Sequence, residues 1–140
     1  MKDQVVVSVV MGAFNEEILI ARAIQSIVDQ SYINWELIIV DDGSSDGTRE
    51  IIEAFAAKDK RIILIENKIN LGLAKSLNVG ISQAQGKYIA RMDADDESLP
   101  KRLESQTSFL ELNSDIDVLG TGAIYVDRRG DCLREVFLRE

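Results

Sequence analysis

Two aspartates one residue apart, Asp93 and Asp95, are the residues of this chain best suited to chemistry. They follow a short apolar run, 88–90, that is typical of a buried strand. Open α/β sheets bind ligands in the crevice beyond the carboxyl ends of their strands, where carboxylates can hold Mg²⁺ or Mn²⁺ together with substrate phosphates. Solvated acidic turns are also common, so these residues alone leave both interpretations open.

The bulk composition limits the partners and the chemistry open to this chain. Its 140 residues carry a formal net charge of −8 and are 46% hydrophobic, which is typical of one globular domain over 1–140. The acidic balance disfavours nucleic acid or an anionic membrane surface as a partner. The sequence has no histidine and one cysteine, Cys132, which excludes histidine acid–base chemistry, an internal disulfide and a thiolate metal cluster.

The apolar run at the start of the chain, 5–10, bears on localisation. It is too short to span a membrane, and it lacks a basic flank or a cleavage site. We therefore expect a cytoplasmic protein, or one peripheral to the inner membrane when the full-length protein is considered.

Apolar runs alternate with segments of helical periodicity along most of the chain. Strands are predicted at 5–11, 37–40, 62–65 and 87–91, each followed by a helix, and then at 118–119, 123–126 and 136–138. The last two runs flank a turn, 127–131, and predict a hairpin. The βαβαβαβα order predicts a mostly parallel sheet with helices on both faces.

Two residues mark expected helix ends. Asn15 stands before the acidic pair Glu16 and Glu17, which predicts a capped first helix with an acidic first turn. Gly86 suits the C-terminal cap of the third helix.

Three polar loops, 12–17, 41–47 and 93–97, follow predicted strands, and together they predict a site at one edge of the sheet. In the second loop we expect a structural role for Asp41 and a ligand-facing role for Asp42. Phe14 fits core filler and base stacking equally well. Lys75 is either a phosphate-facing cation or an ordinary exposed lysine.

Four segments of the chain together resemble the glycosyltransferases of family 2. They are 7–17, 35–48 with its Asp41-Asp42-Gly43-Ser44, 70–81 with its Asn70-Leu71-Gly72, and 84–96 with the Asp-x-Asp. The match covers about residues 5–112, in order and at family-like spacing. It implies a GT-A (Rossmann-like) fold, a nucleotide-diphosphate sugar donor, foremost a UDP-sugar, and Mg²⁺ or Mn²⁺.

The resemblance also assigns roles to individual positions. The expected nucleotide-binding residues are Gly12, Phe14, Glu16, Val40, Asp42, Lys75, Asp93 and Ala94, and the expected metal ligands are Asp93 and Asp95. Asp42 would accept a hydrogen bond from the base imino N–H. Gly12 stands where proline is usual in the family, and Phe14 where tyrosine is usual, which keeps the stacking face but removes a hydroxyl.

The implied reaction is inverting transfer of a sugar to a hydroxyl of a saccharide or lipid-linked acceptor, in bacterial cell-surface polysaccharide synthesis. In the family the catalytic base lies well downstream of the Asp-x-Asp, so we expect it beyond residue 140. This chain would then be truncated on its acceptor side and would bind donor without transferring sugar. An unpaired terminal strand could support a homodimer.

Two other function classes are open to these residues. One is a non-catalytic nucleotide-binding or assembly module with the same fold. The other is a receiver-like signalling domain, although its acidic pair should follow the first strand. The chain has no Gly-x-Gly-x-x-Gly after the first strand, no P-loop and no Gly-x-Ser-x-Gly, which argues against dinucleotide oxidoreductases, P-loop enzymes and serine hydrolases.

Overall fold

The structure, a computed structural model, describes residues 5–127 and 129–137. The chain forms two compact units, one extending to Thr107 and the other beginning at Ser108. In chain order the elements are β1 (Val7–Ala13), α1 (Ile20–Val28), β2 (Trp35–Asp41), α2 (Thr48–Lys58), β3 (Ile62–Glu66), α3 (Leu73–Gln83), β4 (Tyr88–Asp93), α4 (Arg102–Leu112), β5 (Ala123–Val126) and β6 (Cys132–Val136). Among these helices, none combines the length and apolar character that crossing a membrane requires.

The first unit is built on a parallel sheet of four strands in the order β3-β2-β1-β4. The predicted parallel sheet flanked by helices is confirmed. Strand β1 lies between β2 and β4, so the order in which strands are added reverses at β1, and ligands bind at such a switch point in open α/β sheets. A receiver-like domain would instead have the order 2-1-3-4-5, so this alternative does not fit.

The two faces of the sheet are covered by different helices. Alternate residues of β1 and β2, such as Val9 and Leu37, belong to one core cluster with Ile24 of α1 and Ile52 of α2. The intervening residues face α3, whose Gly80 lies against the opposite side of the sheet. Because β2 is buried on both faces, its central residues, 37–40, are a continuous apolar run rather than an alternating one.

The first helix begins later than predicted. It starts at Ile20, with no acidic residue in its first turn, and Asn15 is not its cap. Asn15 has a positive φ of 54° and its side-chain oxygen accepts a hydrogen bond from the Ser45 N–H at 2.9 Å. The capping prediction is wrong because a neighbouring loop takes the oxygen that a cap would use.

Gly86 is needed for close packing rather than for a helix cap. Helix α3 ends at Gln83, followed by Ala84 in extended conformation. A Cβ on Gly86 would lie 2.6 Å from the main-chain nitrogen of Ser8, and the Gly86 N–H donates to Ser8 Oγ at 2.8 Å. This glycine therefore lets the chain entering β4 approach β1.

The second unit contains the predicted hairpin, in which β5 and β6 pair antiparallel. Strand β6 begins at Cys132, before the predicted 136–138, and Leu138 lies outside the described residues, as does Arg128 of the turn. The predicted strand at 118–119 is wrong, since these residues have no strand pairing. Asp127 shapes the turn, its carboxylate accepting from the main-chain N–H groups of Arg129 and Asp131.

The contact between α3 and the sheet gives a stability prediction. A Cβ on Gly80 would lie 2.6 Å from Val10 Cγ1 and 3.2 Å from Val40 Cγ2, both on stiff, buried, branched side chains. We expect Gly80→Ala to lower the free energy of unfolding by about 1–3 kcal/mol through overpacking, although alanine is the better helix former. Urea denaturation measures this change.

Val10→Ala provides the control, because it removes the methyl group that the new Cβ would meet. In that background, Gly80→Ala should cost much less stability than in the wild type. A Gly80→Ala protein as stable as the wild type would contradict the tight packing.

Candidate functional site

A cavity of about 380 Å³ opens at the carboxyl ends of β1, β2 and β4, beside the N-terminus of α3. This is the switch point of the sheet. Seven of the predicted site residues line the cavity: Gly12, Phe14, Glu16, Asp42, Asp93, Ala94 and Asp95. The three loops predicted to meet at one edge therefore do contribute to one cavity.

Two predicted nucleotide-binding residues do not line this cavity. Val40 is fully buried in β2, where its side chain packs near Gly80 of α3. Lys75 is exposed on α3 and is outside the lining. The structure thus brings neither side chain to the cavity, and their roles in binding stay predictions.

Phe14 and Gly12 shape the side of the cavity next to β1. Phe14 is 46% exposed, so it is not core filler and its ring is available to a ligand. A Cβ on Gly12 would lie 2.9 Å from Cδ1 of Leu73, which also lines the cavity. The glycine leaves room for the Leu73 side chain.

The loop after β1 is hydrogen-bonded to the loop after β2. The Asn15 N–H donates to Ser44 Oγ at 3.0 Å, while Asn15 Oδ1 accepts from the Ser45 N–H. Asp41 holds Ser44 in turn, because its Oδ1 accepts from both the N–H and the hydroxyl of Ser44. Asp41 therefore has the structural role expected of it.

A second set of hydrogen bonds joins the same two loops further along. The Glu16 N–H donates to Thr48 Oγ1 at 2.7 Å, and the Glu17 N–H donates to Asp46 Oδ2 at 3.2 Å. In the reverse direction, the Gly47 N–H donates to Glu17 Oε2 at 2.8 Å. These bonds fix the main chain of Glu16, a cavity residue, against the start of α2.

Asp42 holds the wall of the cavity that precedes α3. Asp42 is 3% exposed, and its carboxylate accepts from the Leu71 N–H, the Gly72 N–H and Asn67 Nδ2, at 2.8, 2.8 and 2.7 Å. Asn67 also donates to Ser76 Oγ at 2.9 Å. Burial raises the pKa of Asp42, but the surrounding hydrogen bonds lower it by more, so the pKa lies below its usual value.

The opposite side of the cavity is acidic. Burial, and then the charges of Asp95 and Asp46, raise the pKa of Glu16. Asp93 forms an ion pair with Arg91, whose Nη2 lies 2.6 Å from Asp93 Oδ1. The part of that rise due to Asp95 and Asp46 reflects a negative potential, which would favour a bound cation.

The donor set at Asp93 and Asp95 fits a hard divalent cation. Both residues line the cavity and offer carboxylate oxygens, which Mg²⁺ and Mn²⁺ prefer. Within the described residues no group of three His, Cys, Asp or Glu side chains is arranged to hold a metal. Such a cation would therefore need substrate phosphates and water as further ligands, which is the usual arrangement for Mg²⁺.

Several residues that line the cavity were not predicted as site residues from the sequence. Asn70, Gly72, Leu73 and Ser76 line the wall that Asp42 holds. The Asn70-Leu71-Gly72 segment just before a helical period was the available signal, since helix starts at a sheet edge often bind ligands. Nothing in the spacing pointed to Asn67, whose contacts depend on the folded loop.

The Asp42 contacts give a prediction of pH-dependent stability. Because the folded-state pKa is depressed, the contribution of Asp42 is fully present above its unfolded-state pKa of about 3.9 and is lost as the pH falls through the folded-state value. We expect Asp42→Asn to cost about 1–3 kcal/mol of unfolding free energy at pH 7, and less at pH 3. Urea denaturation at both pH values tests this.

Asp115→Asn is the matched control for that experiment. Asp115 is exposed and its side chain makes none of the described hydrogen bonds, so its variant should stay within about 0.5 kcal/mol of the wild type. An Asp42→Asn cost that is equal at pH 7 and pH 3 would contradict a depressed pKa.

Comparison with known proteins identifies the family. The family model described as Glycosyl transferase family 2 matches residues 8–135. A protein of Bacillus subtilis (strain 168) named as a glycosyltransferase, EpsE, is 52% identical over 125 residues, which are 89% of this chain and 45% of EpsE.

Two solved structures share the fold. S. aureus TarS in complex with UDP-GlcNAc has a TM-score of 0.74 at 27% identity, covering 78% of this chain and 32% of that one. Mannosyltransferase PcManGT from Pyrobaculum calidifontis, in complex with GDP-Man and Mn²⁺, has a TM-score of 0.69 at 26% identity, covering 88% and 36%. The chain spans less than half the length of each of these three proteins. With its parallel sheet and switch-point cavity, this chain has the expected GT-A fold and belongs to glycosyltransferase family 2.

Proposed function

We propose that this chain binds a nucleotide-diphosphate sugar in the switch-point cavity, with a divalent cation, as the donor side of an inverting glycosyltransferase. The observation that carries the proposal is the pairing, in one cavity, of an exposed aromatic ring at Phe14 with the carboxylates of Asp93 and Asp95. An aromatic face suits a base, and the carboxylates suit a metal-bound diphosphate.

At the nucleoside end, the base would stack on Phe14 and donate its imino N–H to Asp42. Three N–H donors already bond to the Asp42 carboxylate, and a hydrogen bond from the Ser76 hydroxyl also lowers its pKa, so little of its capacity of about four acceptor positions is left for a base. A base that presents one N–H, such as uracil, suits this better than guanine, which presents two donor groups side by side. This supports a UDP-sugar as the donor, as in the TarS complex.

At the diphosphate end, Asp93 and Asp95 would hold Mg²⁺ or Mn²⁺. The cation, when bound, neutralises charge on the departing diphosphate. In the transfer, the acceptor hydroxyl oxygen bonds to the anomeric carbon as the bond from that carbon to the diphosphate oxygen breaks. The hydroxyl proton passes to a carboxylate base. The acceptor class and the role in surface polysaccharide synthesis stay predictions.

Calorimetric titration of UDP, GDP and dTDP, each with and without Mn²⁺, tests the donor site. We expect UDP to bind most tightly and to require Mn²⁺. Asp95→Asn, which keeps the side-chain shape but removes the charge, should weaken Mn²⁺-dependent binding by about tenfold or more.

The control variant is again Asp115→Asn, which removes an exposed aspartate charge from the second unit and should bind like the wild type. Equal UDP affinity in Mn²⁺ and in EDTA would contradict the metal-dependent donor site. It would favour a nucleotide-binding module without a catalytic role.

Phe14→Ala tests base stacking separately from phosphate binding. Base–aromatic stacking is worth about 1–3 kcal/mol, so we expect UDP affinity to fall by about 5- to 150-fold. Phe14→Tyr keeps the ring and should bind within about twofold of the wild type. The measurement is calorimetry with Mn²⁺ present.

Inorganic pyrophosphate is the control ligand for the Phe14 variants, because it lacks a base. Its affinity should be the same in Phe14→Ala and in the wild type. If UDP affinity is also unchanged, the base does not stack on Phe14.

A further inference from the structure

Arg102, the first residue of α4, is hydrogen-bonded to the chain on both sides of the acidic loop, residues 93–97. Its Nη2 donates to the main-chain oxygen of Arg91 at 2.9 Å, before the loop, and its Nη1 donates to Ser98 Oγ at 2.9 Å, after the loop. A third bond, from Nε to Gln106 Oε1 at 3.2 Å, holds the guanidinium against its own helix. The segment with Asp93 and Asp95 is thus held at both ends by one side chain.

The downstream end of the loop is itself fixed to the core. Ser98 is 9% exposed, its N–H donates to Ser26 Oγ at 3.0 Å, and its hydroxyl lies 3.4 Å from Met92 Sδ. Because Ser98 contacts both α1 and β4, the bond from Arg102 joins α4 to a fixed point. A planar guanidinium with several N–H donors can bridge such separated acceptors, whereas a lysine ammonium cannot reproduce that geometry.

The guanidinium groups of Arg102 and Arg91 have different partners. Arg91 is paired with Asp93, but the three hydrogen-bond acceptors of Arg102 are neutral oxygens. Burial lowers the pKa of Arg102 and the charge of Asp96 opposes this, while the guanidinium stays protonated at neutral pH. Arg102 therefore adds a positive charge behind a loop that contains three aspartates.

We propose that Arg102 is the positioning residue of the acidic loop: it holds Asp93 and Asp95 in the geometry that binds the divalent cation. The inference rests on the proposed donor site. No sequence motif indicated Arg102. It would act on metal binding through its bonds to the main chain at 91 and to the Ser98 side chain, not by contact with substrate.

Arg102→Lys tests this, because it keeps the charge and removes the fork of donors. Two measurements are made: hydrogen exchange of the amides in 93–98 without metal, and Mn²⁺ affinity by electron paramagnetic resonance, with and without UDP. We expect about tenfold faster exchange confined to that segment, and about 10- to 100-fold weaker Mn²⁺ binding, as for other residues that orient metal ligands.

Arg49→Lys is the matched control. Arg49 forms ion pairs with Glu53 and Glu66, away from the cavity lining, so its variant should keep wild-type exchange in 93–98 and wild-type Mn²⁺ affinity. Ser98→Ala is the second test variant in case Arg102→Lys does not fold. It removes only one acceptor of Arg102, and should change both measurements in the same direction by a smaller factor.

The outcomes separate the inference from the proposed function. Unchanged exchange in 93–98, or faster exchange spread over the whole first unit, would overturn the positioning role, as would faster local exchange with unchanged Mn²⁺ affinity. If the wild type binds no Mn²⁺ with or without UDP, the proposal of a metal-dependent donor site is wrong. Faster exchange in Arg102→Lys that is confined to 93–98 would then still show that Arg102 holds the loop.

Discussion

Asp42 stands where β2 ends, and its carboxylate accepts main-chain hydrogen bonds from Leu71 and Gly72, which precede α3. The cavity depends on these bonds, because they hold its wall against the sheet. Without this acceptor, the Leu71 N–H would lose its partner in a partly buried loop, a loss that proteins rarely tolerate, and the Gly72 N–H would keep only its bond to Asn70 Oδ1 at 3.1 Å. The strand order brings the carboxyl ends of β1, β2 and β4 together, and the Asp42 carboxylate holds the segment before α3 against them.

The two ends of the cavity are held by different kinds of interaction. Next to β1 and β2, hydrogen bonds between neighbouring loops fix Asn15, Glu16 and Glu17 to the segment 44–48 that leads into α2. At the acidic end, two arginines hold the loop: Arg91 forms an ion pair with Asp93, and Arg102 donates hydrogen bonds to neutral oxygens on either side of it. In the proposed donor site, loops already fixed by hydrogen bonds would lower the entropic cost of binding the nucleoside, and cation and diphosphate would complete the acidic end.

Much of this arrangement was predictable from sequence because it depends on local patterns. Continuous apolar runs predicted β2 and its neighbours, and polar residues after those runs predicted which loops would meet. Asn15 shows the limit: its side chain has the chemistry of a cap, but which donor it meets depends on a loop 30 residues away. The same holds for Asn67 and Arg102, whose partners were not visible as a motif. Side chains that connect loops can be assigned only when the main-chain path is known.

Positions 12 and 73 are coupled through space, and this has an evolutionary consequence. A Cβ at position 12 would meet the end of the Leu73 side chain, and both residues line the cavity. Substitutions at Asp42 would remove the hydrogen bonds that hold the wall as well as an acceptor. In the proposed donor site, donor preference would therefore change with less loss of stability through Phe14 and Leu73, which are about half exposed. In a lineage that carries proline at position 12, we expect the side chain at position 73 to be shorter or turned aside. The two positions should therefore change together.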